Sequence, residues 1–186
     1  MSIGEDLRKY LEEIKKNPQN TQAWNALGDA ALGLKENSMA AGAYLSALYL
    51  DAENALYEQK FYSVLSILKS GKDDLEFSYE IFRLPLQTAV VFLFGIMNTE
   101  LRDFEGKIGV LAKGGFDKIL LDFSGVQALS GLGPSLLRKI HEYVKQKNGK
   151  IFIHKATQNI HSMLELKKIT IPYCSSLREG MLALKQ

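Results

Sequence analysis

The stretch Lys118-Ile-Leu-Leu-Asp-Phe-Ser-Gly-Val-Gln-Ala-Leu-Ser-Gly-Leu-Gly-Pro-Ser-Leu-Leu137 decides the fold. Ile119 to Phe123 is an apolar run of strand length, which predicts a buried β-strand. Ser124-Gly125 then reads as a turn, because Ser and Gly together favour non-repetitive backbone. Beyond the Gly/Pro punctuation an amphipathic helix follows. Leu136, Leu137, Ile140 and Val144 form its apolar face, and Lys139, Glu142, Lys145 and Lys147 face solvent. Asn148-Gly149 supplies the stop. Further β-rich runs are Tyr79 to Leu84, Thr88 to Phe94 and Lys150 to His154, with helical patterns between the later ones. That alternation predicts an α/β layer structure.

Upstream the character changes. Residues 1–74 are rich in Ala and Leu at helical spacing, and Ser70-Gly71-Lys72-Asp73-Asp74 reads as a helix stop followed by solvated charge. Four helices are expected. The first carries Leu7, Leu11 and Ile14 on one face and is closed by Asn17-Pro18. The second runs from Thr21, as N-cap, to Leu34, the third from Ser38 to Leu50, and the fourth from Asn54 to Lys69. Trp24, Leu27 and Gly28, followed by Ala40, Tyr44 and Ala47, resemble the tetratricopeptide (TPR) pattern. Gly28 and Ala40 would let two antiparallel helices approach while Trp24 and Tyr44 fill the wedge between them. About one repeat matches, with Ala31 and Ala52 replacing the usual Tyr and Pro. A small helical bundle of another kind is the alternative, and in either case the module binds partners or packs on a neighbour.

Composition excludes several classes. The 186 residues carry 23 Lys+Arg against 21 Asp+Glu, and 46% are apolar, which is ordinary for a globular chain. A formal charge of +2 argues against a dedicated nucleic-acid binder, and Lys145 to Lys150 reads as a solvated helix end whose neighbours Tyr143 and Phe152 pack inward. With Cys174 as the single cysteine, neither an intrachain disulfide nor a Cys-rich zinc site is available. His141, His154 and His161 fit no compact metal-ligand spacing with it and read as surface or strand-end histidines. Thr88 to Met97, the longest apolar stretch, is about half a membrane span. No signal peptide is evident, so a cytoplasmic protein that does not span the membrane is expected. Nothing resembles a nucleophile with its base, so no catalytic residues, metal or cofactor are expected.

The segment from Asp122 resembles the core of a STAS domain, the family of bacterial anti-sigma-factor antagonists. There a hydrophobic strand, Asp-Leu-Ser-Gly-Val, three residues and Asp-Ser-Ser/Thr-Gly-Leu-Gly open a helix; Asp122 to Val126 matches closely. Phe94 to Asn98 falls where the family has Gly-Glu-Leu-Asp. Asn148 to Ile153 resembles its Gly-Gly strand entry, Met163 to Leu166 its Val-Leu-Glu-Leu helix, and Ser176 to Gly180 its closing Ser-Leu-Glu-Glu-Ala helix. The resemblance covers residues 78–185. It implies an α/β STAS-type sandwich, a mixed four- to five-stranded sheet with packed helices, behind an N-terminal all-α TPR-like domain. The expected boundaries are 1–72 for the helical hairpins, 73–77 for a linker and 78–186 for the STAS domain.

In the family the serine after the motif's Asp is phosphorylated by a partner kinase. A helix N-terminus favours such an anion, and phosphorylation there changes the binding face. An ungapped alignment puts Ser130 at the motif's Asp, Gly131 at the phosphoserine, Leu132 at the second Ser/Thr and Gly133 at the Gly. A two-residue deletion instead puts Ser130 at the second hydroxyl. The ungapped version also keeps the distance to Asn148-Gly149, and neither places a serine at the phosphorylated position. Pro134 suits the first helical residue, with Gly133 as N-cap, and Asn98 replaces an Asp. The resemblance therefore implies a degenerate motif whose partner-binding residues are Asn98, Thr99, Ser130, Gly131, Leu132, Gly133 and Pro134. Ser130 is the remaining candidate for off-register phosphorylation.

The function implied is a non-enzymatic regulator of transcription by partner switching. Its partners would be an anti-sigma factor or switch-kinase-like protein, or other STAS proteins, with a further protein partner for the TPR-like region. A scaffold or accessory subunit of a signalling, membrane-transport or lipid-trafficking complex is the alternative. A small-ligand sensor built on the Asn98 and Ser130 loops is a third, with less to support it.

Overall fold

The computed structural model describes residues 3–70, 72, 75–98 and 101–186. Asp73, Asp74 and Thr99, singled out above, lie outside the described residues. The chain divides into two compact units, residues 1–71 with 84–86 and residues 72–83 with 87–186.

The first unit is four helices: α1 (Ile3–Lys16), α2 (Thr21–Gly33), α3 (Asn37–Leu50) and α4 (Ala55–Ser70). Thr21 is not the cap of α2. Asn20 has extended backbone and its side chain accepts from the Ala23 N–H at 3.1 Å, so Thr21 is the first helical residue. The close approach expected at Gly28 is present, since a Cβ there would sit 2.4 Å from the Tyr44 ring. Trp24 does not fill the wedge completely; it stays half-buried and donates its indole N–H to the Pro18 carbonyl at 2.8 Å. A polar knot joins three of the helices. Asp29 accepts from the Tyr44 hydroxyl at 2.7 Å and pairs with Lys60 at 2.6 Å. Burial, followed by the Asp29 carboxylate, pushes the Tyr44 phenol above its usual range.

The second unit is a five-stranded sheet in the order β1-β2-β3-β4-β5: β1 (Ser78–Leu84), β2 (Thr88–Met97), β3 (Lys118–Leu129), β4 (Lys150–His154) and β5 (Tyr173–Cys174). β2 to β5 pair in parallel. The residues between β1 and β2 are too few for a parallel crossover, so that pair is a hairpin and the sheet is mixed. β2 is buried along almost its whole length, as a central parallel strand should be. Helices α5 (Arg102–Lys113), α6 (Gly133–Gln146) and α7 (Gln158–Leu166) make the three crossovers. They share one core with one face of the sheet: Val91, Leu93, Ile119, Leu121, Ile151 and Ile153 meet Phe104, Leu137, Ile140 and Leu164. Successive steps in one direction with crossovers of one hand put those helices on the same side. The closing helix α8 (Leu177–Lys185) lies over the other face. Ser176 caps it, accepting from the Glu179 N–H at 3.0 Å, and Gly180 lets it down onto Leu120 and Cys174.

The Ser124-Gly125 turn is not formed. β3 continues through it to Leu129, because two bulges absorb the irregularity. Phe92 and Phe94 oppose Asp122 and Gly125, so β3 carries one extra residue there, and Gly95 and Ile96 oppose Val126 and Ala128, which adds a second. Gly125 makes room for the Phe94 ring, which would lie 2.4 Å from a Cβ at that position. The bulges carry β3 past the helical layer to the loop at the mouth of α6.

Candidate functional site

Ser130, Gly131 and Leu132 form the connection from β3 to α6, and β2 holds it from below. The Ser130 N–H donates to the Met97 carbonyl at 2.9 Å and the Leu132 N–H to the Asn98 carbonyl at 2.8 Å. The Gly133 N–H closes the turn on the Ser130 carbonyl at 2.9 Å. Gly131 takes a φ of +52°, in the left-handed region that glycine enters without strain. The structure thus brings Asn98 together with Ser130 to Pro134 at the same end of the parallel strands. Thr99, the remaining candidate, is outside the described residues.

Burial sorts these residues into two kinds. Ser130, Gly131 and Leu132 are exposed, while Gly133 and Pro134 are buried. Gly133 is a packing residue, since a Cβ there would lie 2.7 Å from the Met97 carbonyl oxygen and 2.5 Å from Leu129 Cδ1. It is not the N-cap. α6 begins at Gly133, the N-cap is Leu132, and Pro134 falls one residue further into the first turn, where its missing N–H still costs no helical bond. Leu132 makes no side-chain cap bond and is 56% exposed.

Sequence reasoning missed the cleft beside this loop. A space of about 180 Å3 lies between the starts of α5 and α6. Leu101, Leu132 and Leu136 give it apolar walls, and Arg102, Ser135 and the Lys139–Glu105 pair form its rim. That pair, 2.8 Å apart and largely solvated on both sides, contributes only about 0.2–1 kcal/mol. The two helices that frame the cleft are distant in sequence, and no local motif announces it.

A second group was misread. His154 is no surface histidine: it is 1% exposed, and its Nδ1 lies 2.7 Å from Asp122 Oδ2, itself 2% exposed. Asp122 Oδ1 also accepts from the Ser124 N–H at 2.8 Å, which holds the first bulge of β3. Cys174 stands in register next to His154, so Asp122, His154 and Cys174 form a row across β3, β4 and β5. Burial, then the nearby Glu179 and Asp122 carboxylates, pushes the Cys174 thiol up to about 11, opposite to what a nucleophile needs. The row ties the strand that carries the loop to its neighbour. No group of three His, Cys, Asp or Glu among the described residues is placed to hold a metal ion. No helix among them is long and apolar enough to cross a membrane.

No family profile matches the chain, and no curated protein matches it by sequence. Solved structures do match. The Bacillus cell fate determinant SpoIIAA in its phosphorylated form is similar over 59% of this chain and 100% of its own, with a TM-score of 0.51 and 13% identity. An anti-sigma factor antagonist from Mycobacterium paratuberculosis is similar over 60% of this chain and 96% of its own, with a TM-score of 0.52 and 17% identity. At these identities the likeness establishes the fold. The five-stranded mixed sheet with its packed helices is of the STAS type, and its structural neighbours are anti-sigma factor antagonists.

Proposed function

We propose that this chain is a partner-binding regulator of the anti-sigma-factor-antagonist kind, acting on transcription by partner switching without the usual serine phosphorylation. Leu132 carries the reading. Its backbone is helical and its side chain makes no cap bond, and the residue stays 56% exposed at an apolar-walled cleft that it helps to line. Neither fold nor helix gains from the choice, whereas a protein partner covering Leu132 and the cleft would. In the ungapped alignment the position of the family's phosphoserine is Gly131, which has no hydroxyl, so the loop lacks its acceptor. The neighbours' fold supports the same reading, and the helical unit, with its TPR-like spacing, is proposed as a second partner-binding element.

Affinity capture from cells of the source organism tests this. The wild-type chain should recover an anti-sigma factor of the histidine-kinase-like ATPase type, and Leu132→Asp, an exposed change whose folding is checked by a melting temperature no lower than that of the wild type, should lose it. Recovery of a transport or lipid-trafficking complex in its place, or recovery unaffected by Leu132→Asp, would overturn the proposal.

A further inference from the structure

The end of α6 remote from the loop borders a cleft of about 470 Å3, within the usual range of small-molecule sites. Phe152 and Pro172 give it accessible apolar surface over Val144 and Ile151, which line it but are almost fully buried. Phe152, expected to pack inward, is only half-buried and turns part of its ring to this space. The remaining character of the lining is cationic. Lys145, Lys150 and His141 contribute to it, and no carboxylate does. Lys60, Lys72 and Lys139 elsewhere each meet a carboxylate. Among the described residues Lys145 and Lys150 meet none, and Lys150 has only a long bond of 3.4 Å to the Ala183 carbonyl. The negative end of α6 does not cancel this charge. Its last carbonyls are occupied, Val144 by the N–H groups of Lys147 and Gly149 and Lys145 by that of Asn148. About half an elementary charge is then set against two lysines.

We propose that this cleft binds a small amphipathic anion: an acyl or alkyl chain of medium length ending in a carboxylate or phosphate. The chain lies on Phe152 and Pro172, and the head group sits between Lys145 and Lys150. A bare anion would leave the apolar floor in contact with water, and a neutral chain would leave the lysines without a counter-charge. Only a ligand with both parts satisfies both halves of the lining. The site is separate from the loop at the head of α6 and does not depend on the partner proposed there.

Titration of the isotope-labelled full chain, followed by amide chemical shifts, tests the assignment. Decanoate and decyl phosphate, kept below their aggregation concentrations, should shift the amides of Val144, Gly149 and Ile151 saturably, and the tighter of the two identifies the head group. Acetate, inorganic phosphate and decanol should not saturate over the same range. Lys145→Ala and Lys150→Ala should each weaken decanoate or decyl phosphate by about 2- to 5-fold, as expected for a solvated charge pair. Shifts centred elsewhere, no saturation by either amphiphile, equal binding of decanol, or affinities unchanged in both lysine variants would overturn the proposal.

Discussion

Replacing Asp122 by alanine should destabilise the sheet-bearing unit by about 3 to 5 kcal/mol, the cost of breaking a buried pair by removing one partner. The structure sets that size. Asp122 and His154 are 2% and 1% exposed, with Nδ1 and Oδ2 2.7 Å apart. His154 Nε2 already lacks a hydrogen-bond partner, so losing Asp122 leaves the whole imidazole without one in the interior. Each orphaned buried polar group costs about 1–3 kcal/mol. The Ser124 N–H loses its acceptor as well, which loosens the bulge leading to the loop. His154→Leu should cost a similar amount, because it leaves the buried Asp122 Oδ2 without its partner. The double variant Asp122→Ala/His154→Leu should cost less than the sum by about 2 kcal/mol or more, since an apolar pair leaves neither an imidazole nor a carboxylate unsatisfied and only the Ser124 N–H without its acceptor. Urea unfolding at fixed pH, with the m-value checked across the set, gives the four free energies. Additivity within about 0.5 kcal/mol would refute the reasoning, as it would show that the two side chains do not act as a pair.

Gly133→Ala should destabilise by about 1–3 kcal/mol through overpacking against the Met97 carbonyl, whereas Gly106→Ala, with open space around it on α5, should stabilise by about 0.5–1 kcal/mol; chemical unfolding of both separates close packing from helix propensity. Cys174 should resist iodoacetamide at pH 8 in the folded chain and react readily in urea, read by intact mass, because it is 7% exposed with its thiol pushed up to about 11. The folded thiol ionises later than the unfolded one, so its contribution to stability is complete below the unfolded pKa and is lost as pH rises toward about 11. Thermal melts of wild type and Cys174→Ala should therefore diverge less at alkaline pH than at neutral pH.

Particular residues show what the sequence could reveal. Ile119 to Phe123 and the 3.6-residue period of Leu136, Leu137, Ile140 and Val144 are local signals, and local signals placed β3 and α6. The closing helix α8 was expected from the family resemblance at Ser176 to Gly180, and the Ser176 cap bond to the Glu179 N–H stands at its start. The bulges were not legible, because Ser124-Gly125 has turn composition and only the Phe94 ring lying over Gly125 explains why the strand continues. Asp122 and His154 are 32 positions apart and meet only through the β3–β4 register, so His154 looked like an unremarkable strand end. The cleft beside Leu132 depends on how α5 and α6 converge, a tertiary fact with no spacing of its own. Helix caps moved by a single residue, from Thr21 to Asn20 and from Gly133 to Leu132, because the capping choice depends on backbone angles that composition does not reveal.

The most direct test of the proposed function is intact mass combined with binding, after the full chain is incubated with the proposed anti-sigma partner and ATP. An unchanged mass and a complex of undiminished affinity are expected, because Gly131 offers no acceptor and the proposed contact through Leu132 is unaltered. One phosphate per chain on Ser130, with release of the partner, would contradict the proposal.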